Sequence, residues 1–156
     1  MTFVADTTLE CGHTYLTDGR DAAMTWVTPD LSSLSLLSRD ALARGRAILA
    51  EHSDELWAEA AFTTILAARA HDLSRFHWTL QYLGIRTYAQ GTGLGRAIVE
   101  PVLATVNDEG LECELVSSNS RNLSFYERLG FSVVGEVTTP DGAVTLRPMH
   151  RPAAAR

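Results

Sequence analysis

The 156-residue chain has little of what would mark several common classes of protein. Its two cysteines, Cys11 and Cys113, are too few and too scattered for a disulfide framework or a zinc site. Both are expected to be plain thiols, and no metal is expected. No apolar run approaches the ~20 residues that span a bilayer, so no membrane partner is expected either. The opening MTFVADTTLECGHTY lacks the basic flank and long apolar centre of a signal peptide, which makes the cytoplasm the expected location. Internal repeats and linkers are absent, so residues 1–156 read as one domain. A formal net charge of −6 argues against a nucleic-acid partner and suits a cationic small molecule.

What is present is a mixed α/β pattern. Segments 12–17 and 22–28 flank the turn signal Asp18-Gly19 and read as a β-hairpin. From Leu31 to about His71 the chain is rich in alanine and leucine and free of proline, which predicts helix. Ser53 is a candidate cap for a second helix, whose Trp57, Ala61, Ile65 and Ala68 recur near the helical period. HWTLQYLGI (77–85) has the composition of a largely buried strand. A helix to about Asn107 follows, with Pro101 expected to kink it. LECELV (111–116) reads as a strand and RNLSFYERLGF (121–131) as a helix stopped by Gly130. FSVVGEV and AVTLRPM form a hairpin around Pro140, Asp141 and Gly142, and the tail 151–156 is expected to be loose.

The stretch YAQGTGLGRAIVEP (88–101) carries three glycines, Gly91, Gly93 and Gly95, just before a helix. Glycine costs backbone entropy, so three in five residues point to a close approach, and a helix start offers free N–H groups to an anion. A P-loop needs Lys-Ser/Thr after its second glycine, where Arg96-Ala97 stands. A dinucleotide fingerprint needs two residues between its last glycines, and one is present. A third pattern, Gln-x-x-Gly-x-Gly, is met by Gln90, Gly93 and Gly95. A tight strand-to-helix turn without a ligand would use the same glycines.

About thirty residues on, SSNSRNLSFYERLGF supplies Asn119, Asn122 and Tyr126. In this order the two motifs resemble the GCN5-related N-acetyltransferase (GNAT) superfamily, and within it the puromycin N-acetyltransferase branch. The resemblance is strongest over 77–131, and AAMTWVTPD looks like the family's central hairpin. It implies an α/β (α+β) fold with a twisted, mostly antiparallel sheet flanked by helices. It further implies an N-acetyltransferase moving an acetyl group from acetyl-CoA to a primary amine of a small molecule by direct transfer. Pantetheine would then lie along Leu83, Gly84 and Ile85. The pyrophosphate would meet the loop Gly91, Thr92, Gly93, Leu94, Gly95 and Arg96 behind Gln90. Asn119 matches the family's cofactor-contacting asparagine, Asn122 stands ready to assist, and Tyr126 occupies the place of the general acid.

Two departures accompany the likeness. The puromycin branch carries a glutamate where Val116 stands; Glu114, two residues earlier on the same strand face, and His77 are the candidate bases. Thr79 and Gln81 cannot serve. The chain also reaches its hairpin without the strand and helices that usually precede it; the alternatives are a misplaced gene start, a shortened domain, or a partner chain, such as a second copy, that completes the uncovered sheet edge. The alternative function is a degenerate family member that binds acetyl-CoA or CoA without turnover, in a regulatory or assembly role.

Other clusters read as structural. His71-Asp72 has no further ligands at useful spacing. Trp26, Trp57 and Trp78 suit core or pocket wall. Arg39, Arg44 and Arg46 with Asp40 suit a solvated helix face. Ser117-Ser118 lacks the glycines of a nucleophile elbow.

Overall fold

The computed structural model describes residues 12–29, 39–69 and 77–154. Cys11, His71-Asp72 and whatever precedes the hairpin therefore lie outside the described residues. Strands β1 (Gly12–Leu16) and β2 (Ala22–Val27) form the expected hairpin. Helices α1 (Arg39–His52) and α2 (Glu55–Arg69) follow, then β3 (His77–Ile85), α3 (Leu94–Glu109), β4 (Glu112–Ser117) and a short α4 (Leu123–Glu127). Strands β5 (Ser132–Val133), β6 (Val137–Thr138) and β7 (Thr145–Arg151) close the chain. The sheet runs β1-β2-β3-β4-β7-β5, with β6 also on β7. Among the described residues only β3 and β4 pair in parallel, so the sheet is mixed and mostly antiparallel, as expected.

One side of the sheet holds the core. Trp26 and Met24 of β2, Trp78 and Leu80 of β3, and Cys113 and Leu115 of β4 pack with Val99, Val102 and Val106 of α3. At about 25 cal/mol per Å² of apolar surface, this contact is a main source of stability. α3 runs unbroken through Pro101. On the opposite face α2 covers β6 and β7.

The structure differs from the sequence expectations at four points. The cap of α2 is Asp54, whose Oδ1 accepts the Trp57 N–H at 2.9 Å, whereas the Ser53 hydroxyl turns back to the Leu49 carbonyl. The buried stripe of α2 is Ala58, Ala61, Phe62, Thr64 and Ala68; Trp57 is half-buried and Ile65 is exposed. The segment 121–131 is a single 3₁₀ turn (Ser120–Asn122) followed by the short α4, ended by Gly130 at φ 92°. Arg151 is not loose: it pairs with Cys113 in the β4–β7 ladder, and its Nε donates to the Leu129 carbonyl at 3.0 Å.

Candidate functional site

The site begins with an extra residue. Thr25 of β2 pairs with Tyr82 and Trp26 pairs with Leu80, so Gln81 is bulged out of the ladder. A strand alternates faces with period two, and the bulge shifts that alternation by one. Trp78 and Leu80 face α3 before it; Leu83 and Ile85 face α3 after it. The parallel pairing with β4 also stops there, at Leu80 opposite Leu115. Beyond that point β3 keeps its bonds to β2 while β4 keeps its bonds to β7. The two parallel strands part, and the β4-side backbone edge of Gln81–Ile85 is left without a strand partner among the described residues.

The glycine loop sits at the end of that edge. Gln90 Nε2 donates to the Ile85 carbonyl at 3.1 Å, and the Thr92 hydroxyl donates to the Ala89 carbonyl at 2.8 Å, which ties the loop to the strand. Gly91 (φ 79°) and Gly93 (φ 88°) occupy left-handed backbone that side chains resist. Gly95 answers a different need: a Cβ there would stand 2.6 Å from Ile85 Cδ1. The first helical bond of α3 runs from the Ala97 N–H to the Gly93 carbonyl at 3.0 Å. The backbone N–H groups of Gly91 to Arg96 consequently have no backbone acceptor among the described residues. They form a nest at the positive end of a helix, suited to a phosphate.

A groove of about 720 Å³ joins these parts. Leu83 and Ile85 line one wall, the glycine loop and Arg96 its head, and Asn119, Asn122, Phe125 and Tyr126 the far wall. Arg121 and Arg128 stand in the same lining, and among the described residues no Asp or Glu does. Asn119 Oδ1 is engaged by the Arg121 N–H at 3.0 Å, as the cap of the 3₁₀ turn. Tyr126 packs edge-on against Phe125 (5.1 Å between centroids) and Phe131 (6.2 Å). Burial raises its pKa above 10.0, because the phenolate would lose its hydration. The hydroxyl thus stays a proton donor across the neutral range.

His77 and Glu114 are elsewhere. They line a smaller cavity of about 70 Å³ on the α2 side of the sheet, with Arg69, Gln81, Val116 and Pro148. His77 is 1% exposed, and its Nε2 lies 3.8 Å from Glu114 Oε2. Arg69 donates to Gln81 Oε1 at 2.7 Å. The structure therefore gathers the loop, Asn119, Asn122 and Tyr126 in one groove and leaves both candidate bases in another cavity. Gly84, on the face opposite Leu83, and the Thr92 and Leu94 side chains do not line the groove. Phe125, Arg121 and Arg128 were missed by the sequence reading, although all three stand inside the tyrosine motif.

The profile of the acetyltransferase (GNAT) domain family matches residues 43–133, more than half of the chain. The 5-NmdU N-acetyltransferase of Pseudomonas phage PaMx11 is 35% identical over 63 residues, which cover 40% of this chain and 45% of that protein. The mycothiol acetyltransferase of Streptomyces avermitilis is 36% identical over 80 residues, covering 43% and 26% respectively. The chain thus spans less than half the length of these curated relatives. A histone acetyltransferase HPA2-related acetyltransferase from Corynebacterium glutamicum superposes with a TM-score of 0.58 at 18% identity, covering 98% of this chain and 71% of that one. The ribosomal-protein-S18-alanine N-acetyltransferase of Escherichia coli gives 0.58 at 17% identity, covering 99% and 78%. At such identities the two structures establish the fold.

Proposed function

The chain belongs to the GNAT acetyltransferase family, and from that premise we propose that it moves an acetyl group from acetyl-CoA to the primary amine of a small molecule, by direct transfer. The observation that carries this reading is the parting of β3 from β4 after Leu80 and Leu115, directly beside a loop with uncommitted amides and in one groove with Tyr126. The residues fit the donor part by part. The bare β3 edge at Gln81–Ile85 offers amide and carbonyl partners to pantetheine. The nest from Gly91 to Arg96 takes the pyrophosphate. Acetyl-CoA itself supplies an acyl group already activated as a thioester.

The protein's own part is proton traffic and placement. As the amine nitrogen bonds to the acyl carbon and the carbon–sulfur bond breaks, the Tyr126 hydroxyl gives its proton to the departing sulfur. An alkylammonium is deprotonated in only about one molecule in a few thousand at pH 7, so a base must take its proton. Glu114, with His77 beside it, takes this role from the α2 side through the opening left between the strands. A cavity of about 70 Å³ admits an amine head group, which favours a small acceptor, as does the likeness of 77–131 to the puromycin N-acetyltransferase branch.

The second reading, donor binding without turnover, draws on Val116, an apolar side chain in the cavity where that branch carries a glutamate. Calorimetric titration with acetyl-CoA, using ATP and NAD as controls, tests the shared premise. Release of free thiol with a panel of amines then separates the two readings. Binding with thiol release supports the enzyme, binding without release for any amine supports the alternative, and failure to bind acetyl-CoA overturns both.

A further inference from the structure

Residues 17–21 join β1 to β2, and they do more than reverse the chain. Thr17 braces the turn. Its Oγ1 accepts the N–H groups of Asp21 at 3.0 Å and Ala22 at 3.1 Å, and its carbonyl accepts the Arg20 N–H at 2.8 Å. Arg20 sits at φ 55°, the one non-glycine residue in left-handed backbone among the described residues. Such a conformation is costly and persists where the surrounding structure imposes it. With Arg20 so turned, its carbonyl accepts the Arg86 Nε–H at 3.0 Å, and the next carbonyl, that of Asp21, accepts the Arg86 N–H at 2.8 Å. The Asp21 side chain reaches one step further and takes the Tyr88 hydroxyl proton on Oδ1.

All three bonds lie beyond the last rung of the β2–β3 ladder, Ala22 opposite Ile85. They grip the segment that carries the chain from β3 into the glycine loop, and the loop leans on that segment. The Ala89 N–H donates to the Arg86 carbonyl at 2.9 Å and the Gln90 N–H to the Thr87 carbonyl at 3.3 Å. The Gln90 and Thr92 side chains bond back to Ile85 and Ala89. Gly91 and Gly93 bring no side chain to hold the loop, and glycine backbone is the most permissive. We infer that Asp21 is a positioning residue for the glycine loop, acting through Tyr88 from the hairpin turn. Neither residue lines the groove. The pair keeps residues 86–90 in one place, so the loop amides are ordered before a ligand arrives. This rests on the acetyl-CoA reading above and deepens it. A loop ordered in advance loses less freedom on binding, which strengthens the affinity.

The test compares the purified full chain with Tyr88→Phe, Asp21→Ala and the double variant. Tyr88 is 72% exposed and Phe removes only its hydroxyl, so thermal melts of this variant should match the parent. Both substitutions leave the bond from Arg86 to the Asp21 carbonyl in place. Amide exchange without ligand is the first readout: the Ala89 and Gln90 amides should exchange about tenfold faster in each variant, while those in the middle of α3 keep their rates. Calorimetric titration with acetyl-CoA is the second, with affinity expected to fall on the order of tenfold, as for loss of one charge-assisted hydrogen bond. Because the two residues act as one unit, the double variant should bind no more weakly than either single variant. Asp21→Asn keeps an acceptor oxygen for the phenol and should recover most of the affinity. Unchanged exchange and affinity in Tyr88→Phe, or losses that add in the double variant, would overturn the inference while the acetyl-CoA reading stands. A parent that does not bind acetyl-CoA overturns both.

Discussion

Gly95 stands against Ile85 with no room for a side chain between them. A Cβ at position 95 would come within 2.6 Å of Ile85 Cδ1 and 3.4 Å of the Phe125 ring. Ile85 Cδ1 is the free end of a flexible side chain, so the protein can accept Gly95→Ala by turning that end into the groove. Alanine also favours helix over glycine by about 1 kcal/mol, which offsets the crowding in the folded state. The expected outcome is a nearly unchanged melting temperature with acetyl-CoA affinity reduced about tenfold or more, the range of a modest overpacking cost. Calorimetry beside a thermal melt reads the two effects separately. A large fall in melting temperature would place the cost in the fold instead.

Tyr126→Phe keeps the ring contacts with Phe125 and Phe131 and removes only the hydroxyl. It should lower kcat by about 10²- to 10⁴-fold and leave acetyl-CoA binding unchanged. Steady-state kinetics with a titration of the variant gives both numbers. The pH dependence has a definite sign. Burial raises the Tyr126 pKa above 10.0, the donor form is the neutral phenol, and the rate falls only as pH climbs through that raised value. The same burial makes the neutral form the stable one in the fold, so its contribution to stability is present below pH 10 and is lost above it.

Much of this site could be read from the chain before its fold, and the exceptions have physical reasons. The glycine loop and the tyrosine motif were legible because their spacing reports local backbone needs, which Gly91 and Gly93 meet with positive φ. The bulge at Gln81 was missed, although its trace is in the sequence. Apolar residues run Trp78, Leu80 and then Leu83, Ile85, a spacing of three inside a pattern of two. The α2 cap was placed one residue early because Ser53 and Asp54 are both good caps, and only tertiary placement chooses between them. Arg151 looked like tail because its neighbours are alanine and proline; the ladder partner that holds it, Cys113, is far away in sequence. His77 and Glu114 were found by residue type, but which face of the sheet they occupy depends on strand pairing that no local pattern encodes.

Cys113 offers a check on the core. It is fully buried, and burial pushes its pKa from 9.0 up to about 12, with Arg151 pulling weakly the other way. The thiolate is the reactive form, so native Cys113 should stay unmodified by iodoacetamide at pH 8 and react once the chain is denatured. Mass mapping distinguishes it from Cys11. The fold favours the neutral thiol, so this stabilisation is complete below pH 9 and declines as pH rises toward 12. Rapid labelling of Cys113 in the native protein would mean that the β4–α3 contact opens far more often than its packing implies.

Glu114 and His77 share one cavity, and the base role proposed for them is tested by a pH–rate profile. Glu114 lies opposite Thr79 in the β3–β4 ladder, with its side chain 17% exposed and His77 Nε2 at 3.8 Å. A carboxylate so placed can receive a proton from an amine entering beside Val116. Glu114→Gln keeps the shape and hydrogen-bonding capacity of the side chain while removing the base. The expected result is a fall in kcat/KM of about 10²-fold at pH 7 and a recovery as pH approaches the amine's own pKa, where the acceptor arrives already neutral. That recovery separates loss of a base from loss of structure, because a damaged cavity would stay slow at every pH. If Glu114→Gln leaves the profile unchanged while His77→Gln flattens it, the proton goes to the imidazole and Glu114 is not the base.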